Sequence, residues 1–458
     1  MIFNLELFKQ HLQDAEVIMF KNEIRGSLTY LQYGMEVRNK IYSLAMDMLR
    51  DDEFKEIKLS DIIRKSDVVK LDSISLISEN YFSIIENNFN MAAGHEIPFY
   101  LFLKKYLKLF RPVVFPIKFF NFGSVFRFPK KTKFPFNLGE RRSFLECFIV
   151  YKNEKSKEKY INWAVEWNRQ LIKEKLHLPS IEVERPLITN KSFSRKTICI
   201  DSLTPIGISV ITGMSYFHDD IFTKLLEIKY KHNLTGKSKL FHAMHFGISD
   251  NLFFSYLINC HDGRGFRMLN NIAPLHIEII ISDDVKPKPF ELELITKYLD
   301  EKKYRYNVEY AKKLQKPRFY IKKNIINGTP LTIIFSHYNS SSMTLFYRGD
   351  FATQEFKIND LYLIDDFLKK NDEEIICHFK IIEAETIVEC DTIEDVNRSL
   401  LDGKVCKIYL KNNDNNIQNW NQKLLLVHVL GFCISKNSGY DILTGDSGFT
   451  LAYISKRS

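Results

Sequence analysis

Residues 241–281 read FHAMHFGISDNLFFSYLINCHDGRGFRMLNNIAPLHIEIII, and this stretch decides the organisation of the 458-residue chain. Gly247 breaks a short apolar run that carries histidines. Leu252, Phe253, Tyr256 and Leu257 then recur at helical spacing, the pattern of a buried helix. His261-Asp-Gly-Arg-Gly265 is a polar turn punctuated by glycine. Ala273-Pro274 ends the link, because proline cannot continue a helix. Residues 275–281 form an apolar, β-branched run, a strand that opens a new α/β unit. A strand and a helix therefore close one domain, and a strand begins the next.

Working outward, residues 5–22 read as an amphipathic helix and 23–34 as a strand and turn. Residues 35–50 read as a long helix that buries Met35, Val37, Ile41, Leu44, Ala45 and Leu49. Residues 61–90 read as a loop-rich helical insertion, 98–112 as an apolar helix ending at Arg111-Pro112, and 123–127 as the strand that closes the segment 115–127. A basic loop follows: Arg127-Phe-Pro129, then KKTKFPFNLGE, then Arg141-Arg142-Ser-Phe144-Leu145. Residues 156–176 form a charged helix, and 181–184, 196–202 and 208–213 form strands. Beyond 275, strands at 275–281, 304–309, 327–334 and 343–350 alternate with helices at 289–301 and 358–369, which predicts a βαβ-rich domain.

Composition narrows the class of protein more than its activity. The apolar fraction is ample for two or three real cores. A net charge of +9 is compatible with RNA binding but equally with a mildly basic surface. The seven cysteines are dispersed without a C-x-x-C pair, which points to reduced thiols in a cytoplasmic setting and to no zinc or other metal site. No apolar run approaches the length of a membrane span, and the N-terminus lacks a signal-peptide pattern.

The order of elements around 241–281 resembles the junction between the catalytic and anticodon-binding domains of class II aminoacyl-tRNA synthetases. The nearest resemblance is to prolyl-tRNA synthetases of archaeal and eukaryotic type, with W-G-x-S-x-R, an apolar helix, H-G-D-x-x-G-L and A-P before an apolar strand. The resemblance is collinear over nearly the whole chain. Arg25-Gly26, Tyr33-Gly34 and the 35–50 helix are similar to the dimer-forming motif 1. The basic loop resembles motif 2, which would give Arg127 and Arg142 to ATP phosphates and the ring of Phe144 to adenine. Gly328-Thr-Pro330 and Arg348-Gly-Asp350 resemble segments of the anticodon-binding domain.

The departures from the family pattern gather at ATP and proline. Asn251, after Gly247-Ile-Ser249, stands where the family has the motif 3 arginine that grips the triphosphate. A guanidinium offers a fixed charge and a planar fork, and an amide offers neither. Glu96 matches the family glutamate that holds the proline amino group, but Ala92 and Gly94 replace the arginine and threonine beside it. Pro129 replaces the motif 2 glutamate, and Phe148 and Val150 replace a glutamate and a histidine of the amino-acid pocket. Tyr216 takes another histidine's place, while His218 is displaced into what reads as a solvated loop. Glu96, Phe148, Tyr216 and Ser249 are thus the candidate amino-acid pocket, and Lys130, Lys131 and Lys133 the candidate replacements for the lost arginine.

The resemblance implies an α+β catalytic domain over 1–272, with an antiparallel sheet flanked by helices. An α/β anticodon-binding-like domain over 273–372 and a small α/β appendage over 373–458 without zinc ligands would follow. Three functions stay open: a non-canonical or pseudo-synthetase that keeps tRNA or dimer contacts, an active ATP- and Mg2+-dependent ligase for another acid, and a structural subunit of a larger complex. A cytoplasmic homodimer with tRNA as partner is the implied setting.

Overall fold

The computed structural model describes residues 3–20, 27–69, 83–84, 88–127, 134–136, 140–152, 154–187, 193–232, 234–282, 289–311, 317–335, 343–411, 417, 427–434, 438–442, 445 and 447–456. The chain forms two compact units. One comprises Met1–Asn22, Leu28–Ser43 and Tyr256–Ile381, and the other Glu23–Ser27, Leu44–Ser255 and Ile382–Ser458.

The larger unit is built on a twelve-stranded sheet. Its central strands are β1 (Ile117–Phe126), β2 (Glu140–Tyr151), β3 (Ser180–Glu184), β4 (Lys196–Leu203), β5 (Ser209–Asp219) and β6 (His242–Ile248). They lie in the order β1-β2-β6-β5-β4-β3, every neighbouring pair antiparallel. Only the two marginal pairings are parallel: Lys55–Glu56 along β1, and Ile387–Glu389 along Val405–Leu410. From Ser143 onward every residue of β2 is buried, as both faces of a central strand must be when each is covered.

Helix α1 (Glu96–Leu109) packs Phe99, Tyr100 and Leu103 into one core with Phe119 of β1 and Phe148 of β2. The rings of Phe99 and Phe148 stack with centroids 3.8 Å apart and planes 7° from parallel. Burying each such side chain contributes about 1.5–3 kcal/mol, so this contact anchors α1 to the sheet. Helix α2 (Asp250–Cys260) follows β6 directly, with Leu252, Phe253 and Leu257 fully buried, as their helical spacing predicts.

Four features depart from the sequence reading. In the insertion over 61–90, residues 70–82 and 85–87 lie outside the described residues, and the described part is mostly strand. Ile62–Arg64, Ser83–Ile84 and Phe89–Met91 form a small antiparallel sheet, with one short helix, Lys65–Val69, and the β-branched pair Ile62-Ile63 favours that outcome. The first helix stops at Asp14, because Ala15 and Glu16 turn the chain, Glu16 at φ 53°, and Ile18–Met19 then pairs with Thr29–Tyr30. The residues beyond 373 do not form a unit of their own. The expected boundary falls inside helix Tyr362–Thr386, and strands Val405–Leu410, Ser447–Lys456 and Val427–Cys433 extend the large sheet to β3. At that seam Gly431 is indispensable, since a Cβ there would sit 2.5 Å from the Glu184 carbonyl oxygen. The 35–50 helix runs from Gln32 to Asp51; Val37, Ile41, Ala45 and Leu49 are fully buried as expected, but Met35 is exposed.

The smaller unit carries a five-stranded mixed sheet in the order Tyr306–Tyr310, Ile277–Ile281, Leu331–Phe335, Met343–Tyr347, Thr353–Phe356. The first three strands are parallel and the last two join antiparallel. Ile277, Ile279 and Ile281 face Ile295 and Leu299 of helix Pro289–Glu301, while Ile280 faces Tyr320 of helix Pro317–Asn327 on the opposite side. The His261–Gly265 turn is held rather than solvated. Asp262 accepts from the N–H groups of Arg264 and Gly265 at 2.9 and 3.1 Å and from buried Arg348 at 2.9 Å.

Two outcomes follow from these contacts. A Cβ at Gly247 would lie 2.1 Å from the Leu145 carbonyl oxygen, so Gly247→Ala forces β6 away from β2 and costs about 2 kcal/mol or more in a denaturation experiment. In the smaller unit, His11 Nδ1 and His261 Nε2 share one hydrogen bond of 2.9 Å. Burial lowers both imidazoles, and the charge of His11 helps push His261 down to about 4 from an ordinary 6.5. The unfolded chain therefore takes up protons that the folded chain refuses, and stability falls as pH drops from about 6.5 towards 4, by on the order of 1–3 kcal/mol. Urea unfolding at pH 7.5 and pH 4.5 checks this, and His261→Gln should flatten the difference.

Candidate functional site

The register of the large sheet assembles the site. His245 of β6 lies opposite Phe148 of β2 on one side and Tyr216 of β5 on the other. Because strand side chains alternate, Glu146 and Phe148 share one face of β2. The His245 ring stacks on Phe148 at 4.9 Å and sits 5.9 Å from Tyr216 and 6.0 Å from His218. Glu96 enters from the first turn of α1. Gly94 leaves it room, since a Cβ there would lie 2.4 Å from Glu96 Oε2.

A chain of charges runs through this cluster. His95 donates its backbone N–H to Glu146 Oε1 at 3.0 Å, and its Nδ1 pairs with Glu146 Oε2. Its Nε2 reaches Asp61 Oδ1 at 3.1 Å. Burial opposes charge on His95, but the negative charge of Glu146 and hydrogen bonds to Glu146 and Asp61 win, and the imidazole is held at about 9. At neutral pH it is a cation between two carboxylates. Burial likewise opposes charge on Glu96, but contact with His245, and the charges of His245 and His218, hold its carboxyl well below the usual range. His245 Nδ1 is 3.4 Å from Glu96 Oε1, and its Nε2 is 3.6 Å from Glu146 Oε1.

His218, expected in a solvated loop, is fully buried near the end of β5. Its Nδ1 donates to the Phe193 carbonyl at 2.8 Å, which leaves Nε2 as the bare nitrogen. Burial first, then the charge of His245, lowers it to about 4, so it is neutral.

The candidate ATP residues sit apart from one another in character. Arg127 lies over the ring of Phe144, guanidinium carbon 5.5 Å from the centroid, and its Nε donates to the Ala93 carbonyl at 2.8 Å. Phe144 is buried beneath it. Arg142 is partly exposed and pairs with Glu140 at 3.0 Å. Asn251 Nδ2 donates to the Ile211 carbonyl at 3.0 Å. Ser249 and Ala92 are buried, Ala92 exchanging backbone hydrogen bonds with Asp61 and Phe126. Val150 belongs to the hydrophobic core with α1. Pro129, Lys130, Lys131 and Lys133 lie outside the described residues.

Sequence reasoning missed His95, His245, Asp61 and Arg141. Arg141 is largely buried, with its Nε lacking a hydrogen-bond partner among the described residues. Burial and the neighbouring charge of Arg127 lower it to about 9. The signal in the sequence was the adjacency His95-Glu96 and the one-residue alternation Glu146, Phe148, which the family pattern does not use.

No protein-family model matches the chain. In sequence it is similar to the proline–tRNA ligase of Methanococcoides burtonii, 22% identical over 421 residues, covering 87% of this chain and 85% of that protein. It is also similar to that of Pyrobaculum aerophilum, 23% identical over 457 residues, covering 96% and 92%. In structure it is similar to Giardia lamblia prolyl-tRNA synthetase in complex with prolyl-adenylate, with a TM-score of 0.89 at 15% identity over 99% of this chain and 98% of that one. Prolyl-tRNA synthetase from Cryptosporidium parvum complexed with L-proline and AMP gives 0.86 at 14% identity over 98% and 97%. In sequence along most of its length, and in fold throughout, the chain is a class II prolyl-tRNA synthetase-like protein.

Proposed function

We infer that this is a non-canonical prolyl-tRNA synthetase-like protein whose ATP and proline sites are eroded and which keeps the frame for tRNA and for pairing with a second copy. One observation carries the reading. Asn251, at the place of the triphosphate-gripping arginine, has its amide tied to the Ile211 carbonyl, so it brings neither charge nor a free fork to a phosphate. Adenylate formation develops charge at the α-phosphate that preorganised cations must meet, and losing one such donor costs on the order of a hundred- to a thousandfold in rate. Replacement of the threonine by Gly94, and of two pocket residues by Phe148 and Val150, weakens proline itself.

The test is ATP–pyrophosphate exchange with proline, where no signal above the protein-free background is expected. Robust exchange would overturn the reading. A second reading, a ligase for a different acid, is favoured by Arg127 and Arg141, a pair of cations close enough for one to depress the other, beside the charged cluster. Exchange with another amino acid or small carboxylic acid, abolished by Arg127→Ala, would put that second reading in place of the first.

The tRNA partner is a proposal on the same footing. Three lysine pairs in the sequence, Lys302-Lys303, Lys312-Lys313 and Lys322-Lys323, suggest phosphate contacts; in the first, Lys302 is engaged with Asp365 at 2.6 Å, and Lys312 and Lys313 lie outside the described residues. Lys322 and Lys323, both exposed on helix Pro317–Asn327, remain. Each phosphate contact releases counterions, so the double substitution Lys322→Ala, Lys323→Ala should weaken tRNA binding and reduce the slope of log affinity against log salt by about 2. An unchanged slope in a filter-binding titration would remove these residues from the interface.

A further inference from the structure

We propose that Glu96, Glu146 and His245 ligate a divalent transition-metal ion in the middle of the large sheet. One nitrogen of His245 and one carboxylate oxygen from each glutamate lie within 4.8 Å of one another. Ligand atoms around a tetrahedral zinc ion stand about 3.4 Å apart, so the triad closes on an ion by a shift of about an ångström or less at each side chain. Imidazole with carboxylates suits zinc and its first-row neighbours, and three protein ligands leave a coordination position open.

A second, independent observation points to a ligand. His245 is 1% exposed, yet neither ring nitrogen makes a hydrogen bond among the described residues; each has only a carboxylate oxygen standing off, Glu96 Oε1 at 3.4 Å from Nδ1 and Glu146 Oε1 at 3.6 Å from Nε2. A buried imidazole left in that state is costly, and a metal bond satisfies one nitrogen outright. The surroundings also have the form of a metal's outer shell. Glu146 is oriented by the backbone N–H and ring of His95, and His95 by Asp61, the kind of hydrogen-bonded support that ligating side chains receive. Phe148 stacks on the other ligand ring and fixes its plane. Gly94 completes the arrangement, because any larger residue would drive the Glu96 carboxylate out of the cluster.

The site uses no cysteine, which is why cysteine spacing gave no hint of it. It stands on the cluster alone, whether or not the chain makes an adenylate.

The test is calorimetric titration of tag-free, chelator-stripped full-length protein with Zn2+ alone, together with Co2+ absorption spectra. One equivalent per chain is expected, with visible ligand-field bands of a four-coordinate cobalt site. Glu96→Gln and His245→Asn should each weaken Zn2+ by tenfold or more. Gly94→Ala should weaken it while leaving the melting temperature of the metal-free protein nearly unchanged, since only the far end of a flexible side chain must move. His378→Ala, at an exposed histidine outside the cluster, should change nothing. Should His245→Asn fail to fold, Glu96→Gln, at a side chain one-fifth exposed, carries the comparison. Absence of saturable binding, or binding that survives both ligand substitutions, would overturn the proposal.

Discussion

Glu146 is a carboxylate with no exposed surface at the centre of a sheet. A charge taken that far out of water costs several kcal/mol unless partners surround it. Much of the local design answers that one constraint. His95 supplies two donors and a positive charge, Asp61 fixes the far nitrogen of His95, and His245 stands against the remaining side. The small sheet built from residues 62–91 matters for the same reason, since it is next to Asp61 and the backbone of Ala92 that the chain turns towards α1. Removing any one partner leaves the others buried and uncompensated, so the cluster behaves as a unit.

The resemblance in sequence reads the frame well because frames depend on pattern. The buried helix after Gly247, the apolar strand read over 275–281 and the helix over 289–301 follow from periodicity and from proline and glycine placement; the helices stand where those signals put them, and the strand begins two residues later, at Ile277. The cluster was illegible for a different reason. Its members come from four separate elements, and only register brings His245 opposite Phe148 and beside Tyr216. A family template also directs attention to its own positions, and here neither Glu146 nor His245 is among them. His218 was misread because a histidine flanked by Phe217 and Asp219 resembles a loop, whereas cross-strand pairing carries β5 through to Asp219.

The same argument bears on Glu96. In the family pattern a threonine two residues before the glutamate shares the work. With Gly94 in its place, the carboxylate has space to fold back and engage His245 instead. The space at one position thus sets which partner a neighbouring carboxylate meets.

The seam between β3 and the strand Val427–Cys433 has a consequence for biosynthesis. Only two residue pairs join them, Phe432 with Glu184 and Cys433 with Val183. During translation β3 emerges with its outer edge open and stays so until residues 427–433 have followed it. An unpaired edge is a template for association with other chains. The nascent protein therefore depends on a strand far downstream for protection, and termination anywhere before Val427 would release a product with that edge bare, a substrate for chaperones and proteases rather than a smaller working molecule.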